Sequence, residues 1–103
     1  MNPGVNGFDW DDGNREKCRK HGVSIAEIES LFQRPVSVFP DPVHSRAEER
    51  FIAIGTNDKG RYVFLAFTVR RRGGETLIRP ISARYMRRKE VDYYEEEAAK
   101  AEE

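Results

Sequence analysis

The chain has little of what builds disulfides, leader peptides or membrane spans. Its 103 residues include one cysteine, Cys18, which has no partner for an internal disulfide and suits a reducing compartment. The longest apolar run, residues 63–67, is far too short to cross a bilayer. Residues 1–10 lack the basic start and apolar core of a signal peptide. These absences predict a single cytoplasmic domain, residues 1–103, with no membrane partner.

Residues that hold metals and nucleotides are also scarce. His21 and His44 are the only histidines, and their spacing matches no ligand motif, so a metal would need Asp41 and His44 together. The chain has neither the glycine-rich phosphate loop nor the dinucleotide-binding glycine pattern. Cys18 has no evident partner base that would make it a nucleophile. We therefore expect no metal site and no cofactor.

Charge is abundant, and it is unevenly distributed along the chain. The 18 Lys+Arg and 18 Asp+Glu cancel, yet residues 61–89 contain nine basic residues and one acidic residue. Residues 90–103 contain one basic residue and seven acidic ones. A basic segment within folded structure presents a surface to anions, and phosphate is the commonest large biological anion. Nucleic acid is therefore the first partner to consider.

Two helices are predicted near the N-terminus. Residues 11–21 form a plausible first helix that ends before Gly22, the usual residue after a helix. Ser24 and Glu27 then have the spacing of a capping box, which predicts the start of a second helix that Pro35 closes.

Strand-like runs follow at residues 36–39, 50–54, 62–69 and 77–83. Short turns between successive runs predict antiparallel pairing, and Pro80, which cannot donate to a ladder, predicts an edge or a bulge. Residues 8–10 are either a short strand or an aromatic anchor. We expect an α+β domain in which two N-terminal helices and a C-terminal helix pack on one face of a four-stranded antiparallel sheet. Residues 1–7 and 96–103 are predicted to be flexible.

Two positions combine a candidate proton-transfer group with a cation. His21 lies beside Lys20 at the end of the first helix, where the helix dipole favours the imidazolium form. Glu49 precedes Arg50 at the start of a strand, where a carboxylate can act as a base and a guanidinium as a phosphate clamp. The alternatives are a simple helix end with solvated charge and a surface ion-pair cluster.

Arg79 and Arg84 are unusual because they belong to an otherwise apolar strand. A guanidinium in such a position must face a ligand or pair with an acid. Guanidinium groups bind phosphate bidentately, so two of them on one sheet would form an oxyanion clamp. The alternative is that Arg79 pairs with Glu48 or Glu49 across the sheet.

Basic residues mixed with aromatic ones favour single-stranded RNA, because rings stack on bases while cations hold the backbone. The predicted RNA-binding residues are Lys20, Arg61, Tyr85, Arg87 and Arg88. The alternative for the C-terminal part of this set is a solvated helix face with core tyrosines.

Taken together, these segments resemble the BrnT family of toxins. The strings FDWDDGNREKCRKHGVS, FPDPVHSRAEERFIAIG, GRYVFLAFTVR and LIRPISARYMRRKE occur in order over about residues 7–95. The segments KHGVS, ERF-x-x-IG and IR-x-ISAR are specific in combination. The resemblance implies a RelE-like fold and a ribonuclease toxin of a type II toxin–antitoxin pair. It also implies a BrnA-like ribbon-helix-helix antitoxin that forms a hetero-oligomer with the toxin and binds promoter DNA.

Carried over by position, the polar pattern of the family falls on seven residues: Lys20, His21, Glu49, Arg50, Arg79, Arg84 and Glu90. The chain departs from the common pattern at Lys17, where many members have asparagine, and at Pro80, where isoleucine is frequent. Neither departure removes a candidate catalytic group.

The resulting prediction is a metal-independent endoribonuclease that inhibits translation and growth. The 2′-OH of RNA is its own nucleophile, so the protein must move protons and stabilise negative charge on phosphorus. Arg50, Arg79 and Arg84 are assigned to charge stabilisation. Glu49 or His21 is the predicted proton acceptor, with the other or Lys20 as donor. The rival interpretation is a non-enzymatic module that binds nucleic acid or a protein partner.

Overall fold

The computed structural model describes residues 5–101. In this range the chain forms three α-helices, one short 3-10 helix and five β-strands. In chain order the elements are β1 (Gly7–Phe8), α1 (Asp12–Arg19), α2 (Ile25–Leu31), β2 (Ser37–Pro40), the 3-10 helix (Pro42–His44), β3 (Phe51–Thr56), β4 (Tyr62–Arg72), β5 (Glu75–Tyr85) and α3 (Arg88–Ala101). No helix among these residues has the length and apolar character needed to cross a membrane.

The sheet has the strand order β1-β5-β4-β3-β2. The four predicted strands pair antiparallel, as expected. The prediction of a four-stranded, purely antiparallel sheet is nevertheless wrong, because β1 adds a fifth strand that runs parallel to β5. β1 is two residues long, too short to show alternation, and it is held by backbone bonds such as Asp9 N to Ile78 O at 2.8 Å.

Pro80 marks a break in the ladder between β4 and β5. Ala66 faces Ser82 whereas Phe67 faces Pro80, so Ile81 is an extra residue that has no partner in the β4 register. Pro80 also lies beyond the last β5 residue that pairs with β1. The predicted edge or bulge at this proline is therefore confirmed, since its missing N–H is placed where the ladder does not need it.

Helices α1 and α2 cover one face of the sheet, and the core lies between them and the strands. The predicted capping box is present: Ser24 Oγ accepts from Glu27 N at 3.1 Å, and Glu27 Oε1 accepts from Ser24 N at 3.3 Å. The core residues are Cys18, Val23, Ile28, Leu31, Phe32, Ala53, Val63, Leu65, Phe67, Ile78 and Ala83. Helix α1 stops at Arg19, before the predicted residue 21, and Gly22 has a φ of +87° that reverses the chain.

Helix α3 lies against the opposite face of the sheet, which we call the outer face. Tyr94 contacts the rings of Phe39 and Tyr62, and its hydroxyl is hydrogen-bonded to Ser37. These strand residues alternate with those that point into the core. The prediction that all helices share one face is therefore wrong. Several outer-face side chains of β2 to β4 are apolar, and Phe39, Ile54 and Phe64 lie beside α3.

The structure describes only part of the two ends that are predicted to be flexible. Residues 1–4 and 102–103 lie outside the described residues, and residues 96–101 continue helix α3. The flexibility of both ends and the single-domain assignment remain predictions.

Candidate nucleic-acid interface

The strand register places three arginines on the outer face. Arg79 faces Thr68 across the β4–β5 ladder, and Arg84 faces Phe64 two outer-face positions further along. Arg50 comes one residue before the pair Phe51–Phe67, so continuing that register sets it beside Thr68 on the other side. With neighbouring strands about 4.8 Å apart, the backbones of Arg50 and Arg79 are separated by about 10 Å, and Arg84 lies about 13 Å along the strand. We call Arg50, Thr68, Arg79 and Arg84 the arginine face.

Small side chains lie between the arginines of this face. Ala66 faces Ser82 in the row between Thr68 and Phe64, and Ser82 is exposed. Thr68 is 1% exposed, and its hydroxyl has no hydrogen-bond partner among residues 5–101. The Thr68 hydroxyl is therefore covered by neighbouring side chains, and the accessible surface between the guanidinium groups belongs to Ala66 and Ser82.

Arg79 is held by two aspartates next to α1. Its guanidinium donates to Asp11 Oδ2 at 2.7 Å and lies 3.5 Å from Asp9 Oδ2. The hydrogen bond to Asp11 raises the pKa of Arg79, while the Asn14 N–H and then Arg79 lower the pKa of Asp11. The alternative prediction, that Arg79 pairs with an acid, is right about the ion pair but wrong about Glu48 or Glu49 as the partner. Glu48 pairs with Arg70 instead.

Arg84 makes a two-pronged ion pair with Glu90. Both guanidinium nitrogens lie 2.8 Å from the carboxylate oxygens, and the group sits 4.5 Å from the centre of the Phe64 ring. The hydrogen bonds from Arg84 and from the Arg87 N–H lower the pKa of Glu90 to about 2. Glu90 is therefore an anion at neutral pH and a weak base, and its contacts orient Arg84.

Arg50 and Glu49 lie at the other side of the face. The Arg50 N–H donates to Ser45 Oγ at 2.9 Å and its carbonyl accepts from Asp41 N at 2.9 Å, so its backbone is fixed. Its side chain lines a cleft of about 420 Å³ together with His44. Glu49 is exposed in the loop before β3. Neither Glu49 nor Arg50 has an ion-pair partner among the described side chains.

Lys20 and His21 are not brought to the arginine face. Both are exposed in the turn after α1, on the helix-covered side of the sheet. The structure thus separates this candidate proton-transfer pair from Arg79 and Arg84.

A second polar cluster lies at the end of the sheet where β5 finishes, and we call it the Tyr85 cluster. The Tyr85 hydroxyl donates to Glu27 Oε2 at 2.7 Å, and Asn57 Nδ2 donates to the same oxygen at 3.2 Å. The Arg61 guanidinium carbon lies 3.7 Å from the centre of the Tyr85 ring. Two predicted RNA-binding residues, Arg61 and Tyr85, are therefore in contact.

Glu27 and Asn57 were missed by sequence reasoning. Burial alone would raise the pKa of Glu27, but hydrogen bonds from Tyr85, Asn57 and Ser24 lower it. The hydrogen bond to Glu27 in turn raises the pKa of Tyr85. The capping box already accounts for a glutamate at position 27. No local pattern in the sequence indicates that its second carboxylate oxygen accepts a hydrogen bond from a tyrosine 58 residues away.

The remaining basic and aromatic candidates flank the start of α3. Arg87 and Arg88 are exposed, and Arg88 lies 3.6 Å from Asp92. Tyr93 is 67% exposed, whereas Tyr94 is half-buried against the sheet. Tyr93 and Tyr94 line an apolar cleft of about 520 Å³ between α3 and the outer face.

The residues considered for metal binding, Asp41 and His44, contact each other, and the thiol of Cys18 is buried. His44 Nδ1 lies 2.9 Å from Asp41 Oδ2, and residues 5–101 contain no group of three or more side chains suited to hold a metal. Burial raises the pKa of the Cys18 thiol to about 11, so it is protonated at neutral pH and packs as a core residue.

A small α+β domain with cationic side chains on one open sheet face has the features of a protein that contacts polyanions. The family model described as ribonuclease toxin, BrnT, of type II toxin–antitoxin system matches residues 10–90. This range covers most of the chain, and the chain belongs to the BrnT family of ribonuclease toxins. Membership implies an RNA target and an antitoxin partner. A search of curated proteins finds no match to the chain.

Proposed function

We propose that the chain is a metal-independent endoribonuclease that uses the 2′-OH of RNA to attack the adjacent phosphorus. The products would carry 2′,3′-cyclic phosphate and 5′-hydroxyl ends. The observation that supports this most is the arginine face, since Arg50 and Arg79 flank one row of the sheet and Arg84 lies along the same face. Three guanidinium groups, two from β5 and one from the entry to β3, can surround one backbone segment.

The arginines would stabilise the additional negative charge that phosphorus acquires in the transition state. Arg79 and its partner Asp11 are 24% and 52% exposed, and Arg84 and Glu90 are 38% and 35% exposed. The Arg79–Asp11 contact has enough solvent exposure to be weak, so a phosphate can displace Asp11 at modest cost. Glu90 also holds the Arg84 fork in a fixed orientation before RNA arrives.

Proton transfer is assigned to exposed groups. Glu49 is the better placed acceptor, because its backbone adjoins that of Arg50, whereas His21 lies on the helix-covered side. The predicted donors His21 and Lys20 lie on the helix-covered side and cannot reach the same phosphate as Glu49, so water would supply the proton to the leaving 5′-oxygen. Glu90 is a poor acceptor because its pKa of about 2 leaves little driving force at neutral pH.

The test is cleavage of single-stranded RNA by purified protein in excess EDTA, with analysis of the product ends. Arg79→Ala should slow cleavage about 100-fold or more, the usual effect of removing one donor to a developing oxyanion. The variant should stay folded, but its stability should fall, because Asp9 is 11% exposed and loses one of its two cationic partners. Arg71→Ala is the matched control, since Arg71 is exposed on the same sheet and has no ion-pair partner among residues 5–101.

Full activity of Arg79→Ala would remove Arg79 from the mechanism. Loss of all cleavage in EDTA would contradict metal independence. A non-enzymatic binding module is the second candidate, favoured by the fact that Arg79 and Arg84 already hold carboxylates. Growth arrest on expression without an antitoxin, absent in Arg79→Ala, separates the two.

The family assignment supports further proposals about context. We propose that the fold is RelE-like, that the chain acts in the cytoplasm, and that its antitoxin is a BrnA-like ribbon-helix-helix protein. In that arrangement the toxin–antitoxin hetero-oligomer binds promoter DNA through the antitoxin. Co-purification of the chain with the product of its neighbouring gene is the direct test.

A further inference from the structure

The Tyr85 cluster contains a cation, Arg61, in contact with an aromatic ring. Arg61 is exposed, stacks on Tyr85 at 3.7 Å, and has no ion-pair partner within residues 5–101. An arginine of this kind keeps its donors free while one face of its guanidinium plane is occupied by a ring.

Hydrogen bonds fix both members of this stack, the Tyr85 ring and the turn that presents Arg61. The Tyr85 ring is fixed through its hydroxyl by Glu27, which also accepts from Asn57. The Asn57 side-chain oxygen accepts from the N–H groups of Lys59 and Arg61 at 3.0 and 2.9 Å, which fixes the turn that presents Arg61. The stack is thus preorganised, and binding to it need not order these side chains again.

The space around the stack has the size and chemistry of a nucleotide subsite. A cleft of about 290 Å³ is lined by Glu27, Asn57, Asp58, Lys59, Arg61 and Tyr85. Carboxylates and carbonyl oxygens can accept from base amino groups, and the exposed Lys59 can meet a phosphate. A guanidinium plane stacks on any base, since every base has a π-face.

We propose that Arg61 and Tyr85 form a nucleobase platform, on which an unpaired base of RNA stacks against the guanidinium plane. This inference rests on RNA being the substrate, as in the proposed function. It adds that one unpaired base is held at the end of the sheet where β5 finishes, because a base within a duplex cannot reach the platform. Tyr85 follows Arg84 directly in β5, so the platform lies at the end of the sheet next to the arginine face but on its other side.

Binding of short, non-cleavable oligonucleotides tests the platform independently of catalysis. A 2′-O-methyl oligoadenylate is compared with an abasic oligomer of equal length, which has the same phosphates and no bases. Wild-type protein should bind the first more tightly by about 5- to 150-fold, the range for one stacked base. Arg61→Lys keeps the charge but lacks the plane, and it should lose this preference while its affinity for the abasic oligomer changes little.

Arg71→Lys is the matched control, because Arg71 is exposed at the far end of β4 and should leave the preference intact. Pairing the oligonucleotide with its complement should also abolish the preference. Equal base preference in Arg61→Lys and wild type would overturn the platform, as would a wild type without any preference. If the wild type shows the preference but cleaves no RNA, the platform stands and the nuclease proposal fails.

Discussion

Replacing Asn14 with alanine tests whether one buried amide fastens α1 to the sheet. Asn14 is 6% exposed, and its Oδ1 accepts from Asp11 N at 2.7 Å. Its Nδ2 donates to Asp9 O at 3.0 Å and to Pro80 O at 2.9 Å. The alanine variant would leave the Asp11 N–H and the carbonyls of Asp9 and Pro80 without these partners. The hydrogen bond to the Pro80 carbonyl is buried.

The expected loss follows from these three bonds. Each is worth about 1 kcal/mol net, and the better helix propensity of alanine returns about 0.5 kcal/mol, so the free energy of unfolding should fall by about 2.5 kcal/mol. That is a large part of a typical stability of about 5–15 kcal/mol. With a urea m-value of about 1.5 kcal/mol per molar, the midpoint should move down by about 1.5 to 2 M.

Urea unfolding followed by circular dichroism measures this shift, and Asn6→Ala provides the control. Asn6 is also an asparagine whose Oδ1 accepts a backbone N–H, from Thr76 at 2.8 Å, but it is exposed to solvent. Water replaces that bond at little cost, so its midpoint should move by less than about 0.5 M. Equal shifts in the two variants would refute the assignment of Asn14 as the link between α1 and β5.

Two further predictions concern titratable groups. Because the folded protein lowers the pKa of Glu90 from 4.5 to about 2, the Glu90–Arg84 pair contributes stability above pH 4.5 that is lost as the pH falls toward 2. Glu90→Gln should therefore be less stable than wild type by about 1 kcal/mol at pH 7, a value discounted for solvent exposure, and the gap should close below about pH 3; a constant gap from pH 7 to 2 would contradict this. The Cys18 thiol, buried and with a pKa raised to about 11, should react with a disulfide reagent only as fast as the protein opens, and immediate reaction of the folded protein would show that it is accessible.

Elements with local causes were predictable from the sequence. The capping box of Ser24 and Glu27 needs four consecutive residues, and the bulge at Pro80 needs only a missing N–H within a strand. By contrast, β1 shares only Phe8 with the run 8–10 that the sequence offered as a short strand or an anchor. It is held by backbone bonds to β5, 70 residues away, and has no side-chain alternation of its own. The side of the sheet that α3 occupies was equally hidden, because the strands are apolar on both faces.

The candidate site was also only partly predictable from the sequence. Arg79 and Arg84 are five residues apart, so strict alternation would place them on opposite faces of the sheet. The extra residue Ile81 brings both to the outer face, and continuing the register of β3 sets Arg50 there too. Their partners Asp11 and Glu90 depend on how α1 and α3 are placed, which periodicity alone does not specify.

Charge that is segregated along the chain is interleaved in the folded structure. Of the nine basic residues in 61–89, five have carboxylate partners: Arg70, Arg72, Arg79, Arg84 and Arg88. Four have none among the described residues: Arg61, Arg71, Arg87 and Lys89. The anion-binding surface is therefore smaller than the basic stretch suggests. RNA must displace carboxylates to bind Arg79 and Arg84, whereas Arg61 can bind RNA without displacing one. An RNA strand that first stacks on the Tyr85 cluster would therefore be bound to the protein before it contacts the arginine face.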